Sequence, residues 1–112
     1  MAIFKLALLD DAKSFLQSLL EQAHKKILYN IWRVAGGEKN KELFKKLENS
    51  DIWEFRTLCN GTSYRLFAFW DKETGALVVA THGIMKKTQK TPKKEIAHAE
   101  AIMKRYFELK KI

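Results

Sequence analysis

The chain predicts an α+β fold, a small, mainly antiparallel sheet flanked by helices, and three observations carry that expectation. Apolar residues recur at three- and four-residue steps early in the 112-residue sequence, the period changes to two from Ile52 onward, and helical spacing returns after Thr91-Pro92. Helices and strands that come in runs, rather than in strict alternation, favour helices packed on one face of an antiparallel sheet.

Taken in order, Ile3 to Leu9 reads as a strand, and Asp10 and Asp11 then offer an N-cap and acidic charge at a helix start. Phe15, Leu16, Leu19, Leu20, Ala23, Ile27 and Ile31 form one helical face that stops at Gly36-Gly37. The span 11–34 is either one long helix or a helical hairpin bending near Glu21. Glu38 to Leu47 reads as a further short helix with Leu43, Phe44 and Leu47 facing inward. Ile52 to Leu58 and Ser63 to Trp70 are strands joined by Asn60-Gly61, a strong hairpin signal because both residues tolerate positive φ. Asp71 to Gly75 is a second turn, and Ala76 to His82 a third strand. A loop with Lys86, Lys87 and Lys90 leads to a helix that Thr91 caps and Pro92 opens. The acidic partner of a capping box falls one residue late, at Glu95. Ile96, Ala99, Ile102 or Met103, and Tyr106 form the apolar stripe of this helix.

The length suits a single domain, residues 1–112, with one modest core. With 21 Lys plus Arg against 13 Asp plus Glu, the formal charge is +8 and the pI about 9.6, which points to a polyanionic partner. Five lysines (86, 87, 90, 93 and 94) fall within nine positions around the last helix's N-terminus, where free N–H groups and the helix dipole already favour phosphate. The single cysteine, Cys59, predicts no internal disulfide and a reducing compartment. No targeting segment and no membrane-length apolar run is evident, so a soluble, cytoplasmic chain is expected. Zinc-binding spacings, phosphate-binding glycine loops and Ser-His-Asp patterns are lacking, and no metal or cofactor is expected. His24 and His98 lack metal-ligand spacing and read as structural or solvent-facing.

The hairpin turn fixes a register by counting. If Asn60-Gly61 is a two-residue turn, Cys59 faces Thr62 and Arg56 faces Arg65, a like-charge pairing that costs a sheet roughly 0.2–1 kcal/mol. A four-residue second turn, Lys72 to Gly75, would continue the row to His82. Arg56, Arg65 and His82 then share one sheet face, with Lys86 and Lys87 leaving the same edge. Such a row suits a phosphodiester, because guanidinium groups bind phosphate bidentately and stabilise the charge of a pentavalent transition state. The competing structural reading pairs Arg56 with Glu54 or Asp71 and lets His82 merely end a strand. Glu54 is the nearby carboxylate, either a general base or Arg56's ion-pair partner. Trp53, Tyr64, Phe67, Phe69 and Trp70 read mostly as core, with one or two available to stack on bases.

Ile-Trp-Glu-Phe-Arg (52–56), Ser-Tyr-Arg-Leu-Phe (63–67) and His-Gly-Ile-Met-Lys-Lys-Thr-Gln-Lys-Thr-Pro (82–92), followed by Glu95, Ile96 and Ala99, resemble the phage-derived HigB-type toxins of the RelE/ParE superfamily. The likeness runs from about residue 10 to 107. It implies a RelE/ParE-like fold with an N-terminal strand plus a three-stranded meander, and a toxin of a type II toxin–antitoxin module. It further implies ribosome-dependent mRNA endoribonuclease activity, by metal-independent attack of a ribose 2′-hydroxyl on the adjacent phosphate, that inhibits translation. The implied partners are a helix-turn-helix, HigA-like antitoxin, the ribosome and mRNA, with the toxin monomeric when free and hetero-oligomeric with antitoxin. By position the resemblance gives Arg65 to the scissile phosphate and matches Arg56, Lys86 and Lys87 to basic positions of RelE. The role split that follows puts Arg56 with Arg65 on the phosphate and Lys86 or Lys87 on the leaving oxygen, with His82 a further acid–base candidate, and the lysine-rich segment puts Lys90, Lys93 and Lys94 on rRNA or mRNA backbone. RelE-type enzymes often use a C-terminal tyrosine, and none lies between Tyr64 and Tyr106. That departure keeps a second class open: a binding protein such as a ParE-like gyrase inhibitor, or an inactive remnant that binds antitoxin.

Overall fold

The computed structural model describes residues 2–86 and 90–112. Its elements are β1 (Lys5–Leu8), α1 (Asp10–Gln17), α2 (Glu21–Ala35), β2 (Phe44–Lys46), β3 (Trp53–Cys59), β4 (Thr62–Asp71), a 3-10 turn (Lys72–Thr74), β5 (Leu77–Lys86) and α3 (Lys93–Lys110). They build one five-stranded sheet in the order β1-β5-β4-β3-β2, antiparallel except where β1 runs parallel to β5. Among the described residues no helix is long and apolar enough to cross a membrane.

Helices cover both faces of the sheet, not the single face expected. The reason lies in β4, where Leu66, Phe67, Ala68 and Phe69 are all buried, so this central strand is apolar on both sides. Leu66 and Ala68 point with Phe55, Val78 and Ala80 toward α1 and α2, which bring Ala12, Leu16, Ile27, Ile31 and Val34. Phe67, Phe69 and Val79 point the other way, toward Ala99, Ile96, Met103 and Tyr106 of α3.

Of the two readings of residues 11–34 the hairpin is realised, since α1 ends at Gln17 and α2 begins at Glu21. Asp10 and Asp11 lie inside the first turn of α1, where they favour the dipole, while Leu9 occupies the cap without a side-chain bond. The helix expected over residues 38–47 is absent. Asn40 makes a turn instead, its side chain accepting from the Glu42 N–H and its carbonyl from Leu43 and Phe44, and Phe44–Lys46 then pair with β3 as an edge strand. Stacking of Phe44 on Phe55 and Trp53, with ring centroids 4.3 and 4.7 Å apart, outweighs local helix propensity. Leu47 still faces inward and is buried.

The Asn60-Gly61 turn has both residues at positive φ, 51° and 78°, and the hairpin register is the one the count requires, with Arg56 opposite Arg65. The next connection differs. Asp71 pairs with Leu77, one residue beyond a four-residue turn, and a further shift between Phe67 and Ala68 displaces the ladder once more. Each one-residue slip would reverse the faces of β5, and two in the same direction restore them. His82 thus keeps its face but sits opposite Phe67, Ile84 faces Arg65, and Lys86 ends the strand opposite Ser63.

Polar clamps fasten α3. Buried Asp71 accepts hydrogen bonds from Tyr106 Oη and Lys110 Nζ, both at 2.7 Å, and from Thr74 Oγ1 at 3.1 Å. Burial alone would raise its pKa, but the bonds from Lys110, Tyr106 and Thr74, with the Lys110 charge, hold it at about 2. A carboxyl depressed in the fold stabilises above its unfolded pKa of about 3.9 and loses that contribution as pH falls through its folded value. Asp71→Ala should therefore lower stability by about 1–3 kcal/mol at neutral pH. In urea titrations at several pH values the difference from the parent should shrink below pH 4, and a constant difference would contradict the assignment.

Gly83 lies under α1, where an added Cβ would stand 2.2–2.5 Å from the Phe15 ring. Gly83→Ala should cost about 1–3 kcal/mol in thermal unfolding. In a Phe15→Ala background the same change should cost little, because the colliding ring is gone.

Candidate functional site

Alternation along β3 and β4 and across the bulged β5 puts Glu54, Arg56, Ser63, Arg65, Ile84 and Lys86 on the α3 side of the sheet, at the end nearest the N-terminus of α3. Arg65 is the largest fully buried side chain, at 1% exposure. Its Nη1 donates to Glu54 Oε1 at 2.7 Å and its Nε to Ser63 Oγ at 3.1 Å. Glu54 is equally buried, and its second oxygen accepts from Thr91 Oγ1 at 2.5 Å. Half-buried Arg56 places Nε 3.4 Å from Glu54 Oε1. The two guanidinium groups do share a face, but they share it around an internal carboxylate, so Arg65 does not form the open cradle that a phosphate-first reading requires. Its immediate role is to neutralise Glu54, since removing one partner of such a pair leaves an uncompensated buried charge.

Lys86 has no such partner. Its Nζ is buried and donates to no hydrogen-bond acceptor among the described residues. Burial, then repulsion from Arg65 and Arg56, pushes its pKa down, with Glu54 opposing in part. Where the sequence suggests a loop lysine, the strand carries a desolvated ammonium beside two arginines. Lys87 lies outside the described residues. Arg56, Arg65, Lys45, Lys90, Thr91 and Lys93 line a groove of about 520 Å³ between β3 and the start of α3. Glu48, Glu54 and Glu100 also reach it. Lys94 is exposed on α3 and is not among the lining residues.

His82 is buried and takes no part in that groove. Its Nε2 lies 3.1 Å from Glu95 Oε1, its Nδ1 3.0 Å from Thr81 Oγ1, and His98 stands edge-on with ring centroids 4.5 Å apart. Burial lowers its pKa, partly offset by the Glu95 bond, and His98 lowers it further. The contact fastens α3 to β5. Glu95, one residue late for a capping box, serves this histidine instead, and Thr91 is no cap either: Pro92 holds the cap position without a side-chain bond while Thr91 turns to Glu54. Sequence reasoning passed over Thr91's reach into the site, because a Thr-Pro pair before a helix carries a sufficient local explanation.

Chemically the groove offers an anion Arg56 and the lysines 45, 90 and 93, with Arg65 and Glu54 as an internal brace; Lys86, whose ammonium is buried, is not among its lining residues. Among the described residues no three His, Cys, Asp or Glu side chains gather as metal ligands.

Comparison with solved structures finds a double mutant of the E. coli toxin RelE in its free state, 18% identical, with TM-score 0.58 over 74% of this chain and 82% of that one. The intact E. coli RelBE toxin–antitoxin complex matches at 15% identity and TM-score 0.55, over 78% of this chain and 99% of the other. These likenesses establish a RelE-like fold. Comparison with curated protein sequences gives no match. A family model described as phage derived protein Gp49-like (DUF891) matches residues 14–104. The chain therefore belongs to the Gp49-like family of phage-derived proteins.

Proposed function

We propose that this protein is the toxin of a type II toxin–antitoxin module of the HigB type, a ribosome-dependent mRNA endoribonuclease restrained by a helix-turn-helix antitoxin. One observation carries the reading: the buried Lys86 ammonium has no hydrogen-bond partner among the described residues and stands beside Arg56 and Arg65. A buried unpaired cation is unfavourable until an anion reaches it. The RelE and RelBE structures that share this fold are of a toxin and a toxin–antitoxin complex, which supports a toxin role and an antitoxin partner.

In the proposed reaction a ribose 2′-hydroxyl attacks the adjacent phosphate and displaces the 5′-oxygen. Arg56 and the Arg65 brace stabilise the added negative charge. Lys86 gives its proton to the departing oxygen, a task that suits an ammonium whose pKa lies below the ordinary lysine range. Glu54 is the carboxylate within the cluster that can take the 2′-hydroxyl proton, once Thr91 releases its second oxygen. Lys90 and Lys93 on the groove, with exposed Lys94, hold the RNA backbone.

A binding-only reading, as a ParE-like gyrase inhibitor or an antitoxin-binding remnant, is favoured by Arg65 being sealed against Glu54. A supercoiling assay with purified protein separates the two, since the ribonuclease leaves gyrase untouched.

Arg65→Ala strands Glu54 in the interior and should cost about 3–5 kcal/mol of stability, so loss of toxicity in that variant is no measure of chemistry. Arg56→Ala and Lys86→Met keep the buried pair. Each should lower cleavage of ribosome-bound mRNA by roughly 10²–10⁴-fold, read by primer extension, with the thermal midpoint little changed. Absence of codon-phased cuts with the parent chain would overturn the proposal. The parent rate should also fall as pH rises through a Lys86 midpoint below the ordinary lysine range, a limb that Lys86→Met lacks.

A further inference from the structure

Beyond the anion site, α3 and the sheet enclose a second groove of about 940 Å³. Phe69 and Phe107 stand 5.5 Å apart between ring centroids, and Trp53 and Trp70 meet edge-on at 6.3 Å. Phe69, Met103 and Phe107 line it on the α3 side, whereas Trp53 and Trp70, which pack on Phe44 and Phe4 on the opposite face of the sheet, reach the groove only at its end. Both tryptophans and Phe107 are only half-buried. The rim carries Lys46, Lys72 and Lys104 against one carboxylate, Asp51. Lys46 is held in place by its bond to the Ser50 carbonyl at 2.6 Å.

The two grooves follow one side of α3. Lys93, Ile96, Ala97 and Glu100 line the first, and Met103, Lys104 and Phe107 the second, in steps of one and three residues that keep to a single helix face. From Lys93 to Phe107 this path is about 21 Å at 1.5 Å per residue. A bond from Ser50 Oγ to Glu100 Oε2 at 2.9 Å marks the boundary between them.

Aromatic rings within a basic rim, continuous with an anion site, match a polymer that presents phosphates and flat rings at intervals. We propose that this groove is a stacking subsite for single-stranded RNA, receiving bases of the strand whose phosphate sits at Arg56. The inference rests on the ribonuclease reading and extends it to how many nucleotides the protein grips. A peptide is the poorer occupant, because the rim offers three ammonium groups and the floor few hydrogen-bonding side chains.

The test uses the full chain carrying Trp32→Phe, so that fluorescence reports Trp53 and Trp70 alone. Its probes are a dinucleotide and a hexanucleotide of single-stranded RNA with 2′-O-methyl sugars, which cannot be cleaved. The hexanucleotide should bind more tightly and quench the tryptophans. Phe107→Ala, and separately the surface pair Lys72→Glu with Lys104→Glu, should weaken it by about 5- to 150-fold, the range of one stacked base, and leave the dinucleotide unchanged. Equal affinity for the two lengths, or for parent and both groove variants, overturns the subsite. So does hexaglutamate binding and quenching as well as the hexanucleotide. If Arg56→Ala weakens both lengths while the groove variants weaken neither, the anion site stands and the subsite falls. If the parent binds neither length, both readings fall.

Discussion

The site is organised by the buried ion pair of Arg65 with Glu54. Two full charges at about 1% exposure can persist there only because each is answered within hydrogen-bonding distance. Ser63 Oγ accepts from Arg65 Nε, and Thr91 Oγ1 donates to the second oxygen of Glu54. Neighbouring strands thereby hold like charges, Arg56 opposite Arg65, that would otherwise repel. The consequence is that the segment leading into α3 is tied to the sheet through Thr91, just before the helix cap and on the groove that a ligand would enter.

That internal neutralisation moves the electrostatic weight of the site from Arg65 to Lys86. Glu54 balances one guanidinium and partly the second, whereas Lys86 is left desolvated at the strand end with its pKa depressed. A buried cation of this kind favours an incoming anion, and a phosphodiester brings the right sign and several acceptor oxygens. The same features distinguish a phosphate site from a merely basic surface. Exposed lysines such as Lys94 give attraction at a distance but no fixed geometry.

Much of the fold is legible in the residues. The period change at Ile52, the Asn60-Gly61 turn and the Thr91-Pro92 helix start place the strands and last helix because each is a local constraint. Residues 38–47 misled for the opposite reason: their helical look is local, but Phe44 gains more from stacking on Phe55 and Trp53, which are remote until the sheet forms. The second register failed by two residues, one from a turn longer than four residues and one from a bulge, which has no reliable local signature, and the intended face survived only because two slips cancel. Placement of Arg56 and Arg65 was readable by counting, whereas the burial of Arg65, the burial of the Lys86 ammonium and the use of Glu95 by His82 depend on α3 closing over the sheet. That docking also rests on the bonds of Tyr106 and Lys110 to Asp71, at the opposite end of α3 from the site.

The most direct measurement is the ¹⁵N titration of the Lys86 side chain by NMR, with and without the uncleavable RNA dinucleotide. The account predicts a midpoint below the ordinary lysine range in the free protein and a rise when the dinucleotide binds, because the phosphate supplies the missing negative charge. A midpoint at the ordinary lysine value, or one that RNA leaves unmoved, would contradict it.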